Sequence, residues 1–197
     1  MRKSPVQARS RATLEAILDA TAHILGAHGW AGVSTNSVAE KAGVSIGSLY
    51  QYFPNKAALV TAVRKRHFDE VLAVLKTATN NSLSRAARVS AFVDGMIAVH
   101  ARHPAAHRVL LEGAPENMKS SDMDYLFETA YRQGCENFFV SNARDHRSSD
   151  PRIPALVLSA AVAGAIHEAA RQDFLNSLEL KAELVRLVES FLIKRRS

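Results

Sequence analysis

Apolar residues return along this chain at helical spacing almost throughout. From about Arg11 to His28, Leu14, Ile17, Leu18, Thr21, Ile24 and Leu25 recur at i, i+3, i+4 and i+7, the stripe of an amphipathic helix that Gly29 ends. Trp30 and Val33 are expected to pack beneath the next two helices. Ser34 can cap the first of these, with Val38, Ala39 and Ala42 on its apolar side, and Gly43 suits its C-terminus. Ser45 can cap the other, expected from Ile46 to Tyr52 and stopped by Phe53-Pro54. A long helix then runs from Lys56 to about Thr79, with Leu59, Val60, Val63, Phe68, Val71, Leu72 and Leu75 on one face. Asn80-Asn81-Ser82 breaks it.

The remainder repeats the helical pattern. Val89, Phe92, Val93, Met96, Ile97 and His100 mark a helix ended by His103-Pro104, and a short one continues to about Glu112. Met123, Phe127, Ala130, Tyr131, Gly134 and Phe138 mark another to about Ala143. Loops are expected at Ala114–Ser121 and Asp145–Arg152. An Ala- and Gly-rich helix from Pro154 to about Phe174 precedes a Leu-striped one from Leu180 to Lys194, with Asn176 and Glu179 spaced as a capping box. Period-two alternation and internal repeats are missing, so the expected fold is all-α with about nine helices. Residues 1–10, with Pro5 beside Arg2, Lys3 and Arg9, are expected to be a flexible arm.

The pair of short helices across a glycine turn has a chemical meaning. Such a helix-turn-helix can set its second helix in the major groove of DNA. Ser45, Gly47, Ser48, Tyr50, Gln51 and Tyr52 should face outward, small or polar enough for close approach. Charge supports the same partner. Residues 1–66 hold nine Lys/Arg against three Asp/Glu, whereas residues 67–197 hold sixteen of each, so the whole net charge of +6 lies with the motif. A basic excess confined in this way fits a polyanion.

The run A-G-V-S-x-G-x-L-Y-x-Y-F at Ala42–Phe53, followed by a helix that starts on Lys56, resembles the TetR family of bacterial transcriptional regulators. The likeness extends from about Arg11 to Leu75. It implies that Thr35, Ser45, Tyr50, Tyr52 and Lys56 hold phosphates, with Ile46, Gly47, Ser48 and Gln51 nearest the bases. It also implies an N-terminal three-helix DNA-binding domain, residues 1–56, and a helical ligand-binding and dimerisation domain, residues 57–197, joined by the helix at 56–79. The function implied is that of a repressor released from a palindromic operator by a small molecule. Ala58 departs from the family pattern, where an acid often completes a capping box with the residue at Asn55. Asn55 alone can still cap, so a weaker helix start is expected.

The two C-terminal helices suit close packing with two copies from another subunit, and the resemblance implies a homodimer there. A two-fold pair of recognition helices would also read a palindrome, which one helix cannot. The implied effector pocket lies among the central helices, with Phe92, Met96, His100, Phe127, Tyr131, Cys135 and His167 as candidates, and Leu110, Met123 and Phe138 on the same inward faces. The same stripe also reads as plain core. His167, Glu168 and Arg171 either line the pocket or form a surface pair.

His100, His103 and His107 have metal-like spacing, but Pro104 interrupts their face and no acid or cysteine nearby completes a set, so no metal is expected. No cofactor is expected either. Nucleophile elbow, P-loop, HExxH and paired-cysteine patterns are missing, which argues against an enzyme. The single cysteine, Cys135, excludes an internal disulfide and suits a reducing cytoplasm. The apolar run Ala155–Ile166 is broken by Ser159 and too short to span a bilayer, so no membrane partner is expected.

Overall fold

Glycines, serines and prolines divide the chain where the sequence places them. The computed structural model describes residues 5–112, 122–143 and 150–193. Among these, nine helices and no strand are found: α1 (Pro5–Gly32), α2 (Thr35–Ala42), α3 (Ile46–Tyr50), α4 (Lys56–Ala78), α5 (Arg85–Arg102), α6 (Pro104–Glu112), α7 (Asp122–Asn142), α8 (Arg152–Arg171) and α9 (Leu178–Leu192). The expected loop at 114–121 and most of that at 145–152 lie outside the described residues, as do Arg2 and Lys3.

Three local expectations need correction. The chain is helical from Pro5, so Arg9 belongs to a helix and not to an arm; proline is tolerated in a first turn, where its missing N–H has no partner to lose. As the sequence leads one to expect, the helical backbone of α1 breaks at Gly29, at φ 63°, and only a short turn continues to Gly32. The third helix closes at Tyr50, leaving Gln51 and Tyr52 in a turn whose Tyr52 and Phe53 N–H groups both donate to the Leu49 carbonyl. The cap of α9 is Ser177 and not Asn176: its Oγ accepts from the Leu180 N–H at 3.2 Å and donates to Glu179 Oε2 at 2.7 Å. Before it, α8 ends at Arg171 because Asp173 turns left-handed at φ 60°. Helix α8 is also longer than the apolar run that marks it, and by length and composition alone it could cross a membrane. One face of it, Ala155, Leu158, Val162, Ile166 and Ala169, is buried in a protein core.

Two compact units result. The first gathers the described residues up to His67 together with α6; the second runs from Phe68 to Arg102 and takes the described residues after α6. The division falls at His67/Phe68, inside α4, the helix that joins the two parts. Helix α6, assigned from sequence to the C-terminal part, joins the N-terminal unit.

In the first unit Ile17, Leu25, Val33, Val38, Leu49 and Leu59 form the centre of the core. Helix α6 lies so close to α1 that a Cβ on Gly26 would come within 2.9 Å of Ala105 Cβ. Arg66 of α4 donates to Glu15 at 3.2 Å and Asp19 at 2.8 Å on α1, and His103 meets the same Asp19 carboxylate at 3.2 Å. Arg66 is thus engaged inside the unit rather than part of a free basic surface. His107 packs its ring 4.5 Å from that of His67.

In the second unit Val89, Phe92, Phe138, Phe139, Ile166 and Val188 anchor the core. Phe92 stacks on Phe138, and Phe68 on Phe127. Buried Asn142 ends α7 as a clasp: its amide donates to the Phe138 carbonyl at 2.8 Å and its oxygen accepts from Arg88 Nε at 2.9 Å. Arg85 Nε donates to the Asn142 carbonyl at 2.8 Å.

Candidate nucleic-acid interface and effector cavity

The turn between α2 and α3 is fixed from both ends. Ser34 Oγ accepts from the Ser37 N–H while Ser37 Oγ accepts from the Ser34 N–H, a reciprocal box built from two serines. Gly43, at φ 67° and ψ 32°, closes α2 in the left-handed conformation, and the Gly43 and Val44 N–H groups donate to the Glu40 and Ala39 carbonyls. Ser45 Oγ then accepts from the Ser48 N–H at 3.1 Å and starts α3. Leu49, fully buried, and Phe53 pin the five-residue helix to the core beneath it.

That anchoring leaves one face outward. Ser45, Ile46, Gly47, Tyr50 and Gln51 are exposed, and Ser48, Tyr52, Thr35 and Lys56 are half-buried. The hydroxyls are pre-positioned: Thr35 Oγ1 lies 3.2 Å from Tyr50 Oη, and Ser45 Oγ lies 2.9 Å from Ser48 Oγ. Tyr52 Oη lies 3.0 Å from Ser10 Oγ on α1, a partner hidden from a sequence in which residues 1–10 read as an arm. Lys56 carries its ammonium 4.8 Å above the Trp30 ring, a cation–π contact that orients a cation at the start of α4. Asn55 Oδ1 accepts from the Ala58 N–H at 2.9 Å, so the lone cap forms without the acid. A Cβ added to Gly47 would meet only Ser45 Oγ, 4.0 Å away. Nothing within the unit crowds a side chain at that position.

The candidates for a ligand site divide in the second unit. Phe92 and Met96 are buried in the core, and Phe127 stacks between Phe68 and Tyr131. His100 Nδ1 lies 2.7 Å from the Met96 carbonyl, its ring 5.3 Å from that of His167. Burial pushes the His100 imidazole down to about 4, despite the backbone bond, and the neighbouring His167 adds to the fall. Glu168 and Arg171 pair at the surface, with Gln172 donating to Glu168 at 2.6 Å, so of that ridge only His167 turns toward the core. Tyr131 and Cys135 line a cavity of about 390 Å³ between α7 and α8, together with Ser159, Ala155, Ile153 and Leu156. Ser159 was legible only as an interruption of an apolar run; its position opposite Tyr131 needs the packing of two helices.

A family model described as bacterial regulatory proteins, tetR family, matches residues 17–63, and one described as tetracyclin repressor-like, C-terminal domain, matches residues 82–192. The chain is 42% identical over 55 residues to the HTH-type transcriptional repressor KstR of Mycolicibacterium smegmatis, covering 28% of this chain and 27% of that one. It is 34% identical over 118 residues to the HTH-type transcriptional regulator RutR of Escherichia coli K12, covering 58% and 53%. The matched stretches thus span between about a quarter and about half of these relatives' lengths. The fatty acid degradation regulator FadR of Bacillus halodurans superposes with a TM-score of 0.71 at 14% identity over 98% of this chain and 97% of that one, a likeness of fold. These relatives are transcriptional regulators and not enzymes. With one model on the helix-turn-helix and another over more than half of its length, the chain belongs to the TetR family.

Proposed function

We propose that this protein is a cytoplasmic, sequence-specific DNA-binding transcriptional regulator, acting as a homodimer that represses from a palindromic operator and is released by a small molecule. The observation that carries the reading is the outer face of α3, where an unobstructed Gly47 sits among exposed Ser45, Tyr50 and Gln51. In this reading Thr35, Ser45, Tyr50, Tyr52 and Lys56 hold phosphates, while Ile46, Gly47, Ser48 and Gln51 meet base edges. Ile46 offers only apolar contact, such as to a thymine methyl, so shape readout carries part of the specificity.

The dimer is supported by α8. Ile153, Leu156, Val157, Ala160, Ala161 and Gly164 form an uncharged exposed strip at helical spacing, and a Cβ on Gly164 would meet nothing within 4 Å. A strip of that kind suits the same strip on a second copy. Release follows where the effector prefers a dimer whose reading heads mismatch the operator. A swing from 1:99 to 99:1 requires a preference of roughly 5.5 kcal/mol.

The test is a salt-controlled binding titration with the DNA upstream of the protein's own gene. Lys56→Ala should weaken binding to every sequence alike and reduce the salt slope by about 1. Gln51→Ala should instead change the order of preference among sites. No preference for any upstream segment over random duplex would sink the proposal.

A further inference from the structure

We infer that the cavity between α7 and α8 binds an uncharged, mainly apolar molecule bearing one hydroxyl group, an alcohol or a phenol. This rests on the effector-released reading above and gives its effector a place and a chemical class. At about 30 Å³ per water-sized group, the space of about 390 Å³ takes roughly a dozen non-hydrogen atoms. Its walls are hydrocarbon: the Tyr131 ring and the side chains of Ile153, Ala155 and Leu156.

Its polar floor decides what the ligand must bring. Tyr131, Cys135 and Ser159 bring a phenol, a thiol and a hydroxyl to the same lining. Ser159 Oγ donates its one proton to the Leu156 carbonyl at 3.0 Å. With that proton committed, Ser159 meets the cavity as an acceptor, its oxygen carrying two lone pairs. An incoming O–H can donate to Ser159 and accept from the Tyr131 hydroxyl at once, whereas a bare carbonyl or ether can only accept.

Charge selects in the same direction. Burial, reinforced by Cys135, pushes the Tyr131 phenol well above its usual range, and burial pushes the Cys135 thiol up. Both groups are neutral near pH 7, so the floor holds no cation for a carboxylate and no thiolate for an electrophile. Toward solvent the lining residues Glu128, Arg132, Glu136 and Arg152 balance, and Arg152 is held by Asp150 at 2.9 Å. Ile153 and Leu156 also belong to the exposed strip of α8, so an occupant touches the face that the proposed dimer uses.

The experiment is calorimetric titration of the full-length protein near neutral pH with 4-hexylphenol and, separately, 4-hexylbenzoate. The phenol should bind saturably, one per chain, and the charged benzoate at least about tenfold more weakly. Ser159→Ala should weaken the phenol by about fivefold, the loss of one hydrogen bond, with circular dichroism verifying that the variant is folded. The wild-type preference for phenol over benzoate tests the assignment without any variant. Failure of the phenol to saturate, equal or tighter binding of the benzoate, or wild-type affinity in a folded Ser159→Ala protein would each overturn it. Operator affinity at saturating phenol separates the two readings: saturable, Ser159-dependent binding with unchanged operator affinity upholds the cavity and sinks release by effector.

Discussion

Gly43 and Gly47, on either side of the turn into α3, have opposite roles. Gly43 holds φ at 67°, a backbone region that a side chain strains, whereas Gly47 sits in an ordinary helix with no neighbour in reach. Gly43→Ala should lower stability by about 1 kcal/mol, read from urea midpoints. Gly47→Ala should leave stability unchanged or raise it by about 0.5–1 kcal/mol, since alanine is the better helix former, yet weaken DNA binding. Asn55→Ala removes the acceptor for the Ala58 N–H and should cost about 1 kcal/mol, with no second capping group to soften the loss. Trp30 belongs to this scale too: its ring carries Lys56, so a lysine legible in the sequence gains an orientation that only packing provides.

Among the elements, α3 is too short to be stable by itself, and Leu49 beneath it supplies what its five residues lack. In the second unit, α4 meets its neighbours at glycines. A Cβ on Gly95 of α5 would lie 2.7 Å from both Val74 methyl carbons, and one on Gly134 of α7 would lie 2.8 Å from Leu75 Cδ1. Gly95→Ala should cost about 1–3 kcal/mol through overpacking, visible as a lower thermal midpoint. A midpoint at or above the wild type would show that α4 and α5 separate without penalty.

At the scale of the molecule, two properties are open to measurement. The folded chain keeps His100 neutral because burial holds its imidazole at about 4, against 6.5 when unfolded. The unfolded state therefore takes up a proton first, and stability falls as pH drops from about 6.5 toward about 4. Between pH 7 and pH 5 the loss should be roughly 2 kcal/mol from this residue, and His167, also lowered by burial, acts in the same direction. Urea midpoints of His100→Gln should vary less with pH than those of the wild type. For the proposed dimer, Ala161→Glu places a charge on the bare strip of α8 and should shift sedimentation toward monomer while leaving helix content intact.

Helical period, serine caps and the glycine at the turn are local facts, and they were enough to locate every helix among the described residues and the outward face of α3. The charge division needed only counting. Tertiary packing decided the rest, because it depends on which distant faces meet. It brought Ser10 to Tyr52 and put Asp19 between Arg66 and His103. It carried α6 into the N-terminal unit and fixed where along the joining helix the division falls, at His67/Phe68. It also sorted seven similar candidates for a ligand site, sending Phe92 and Met96 into core and setting Tyr131 and Cys135 opposite Ser159 at a cavity. A helical stripe tells which side of a helix is buried; only the partner helix determines whether that side closes on carbon or leaves room for a ligand.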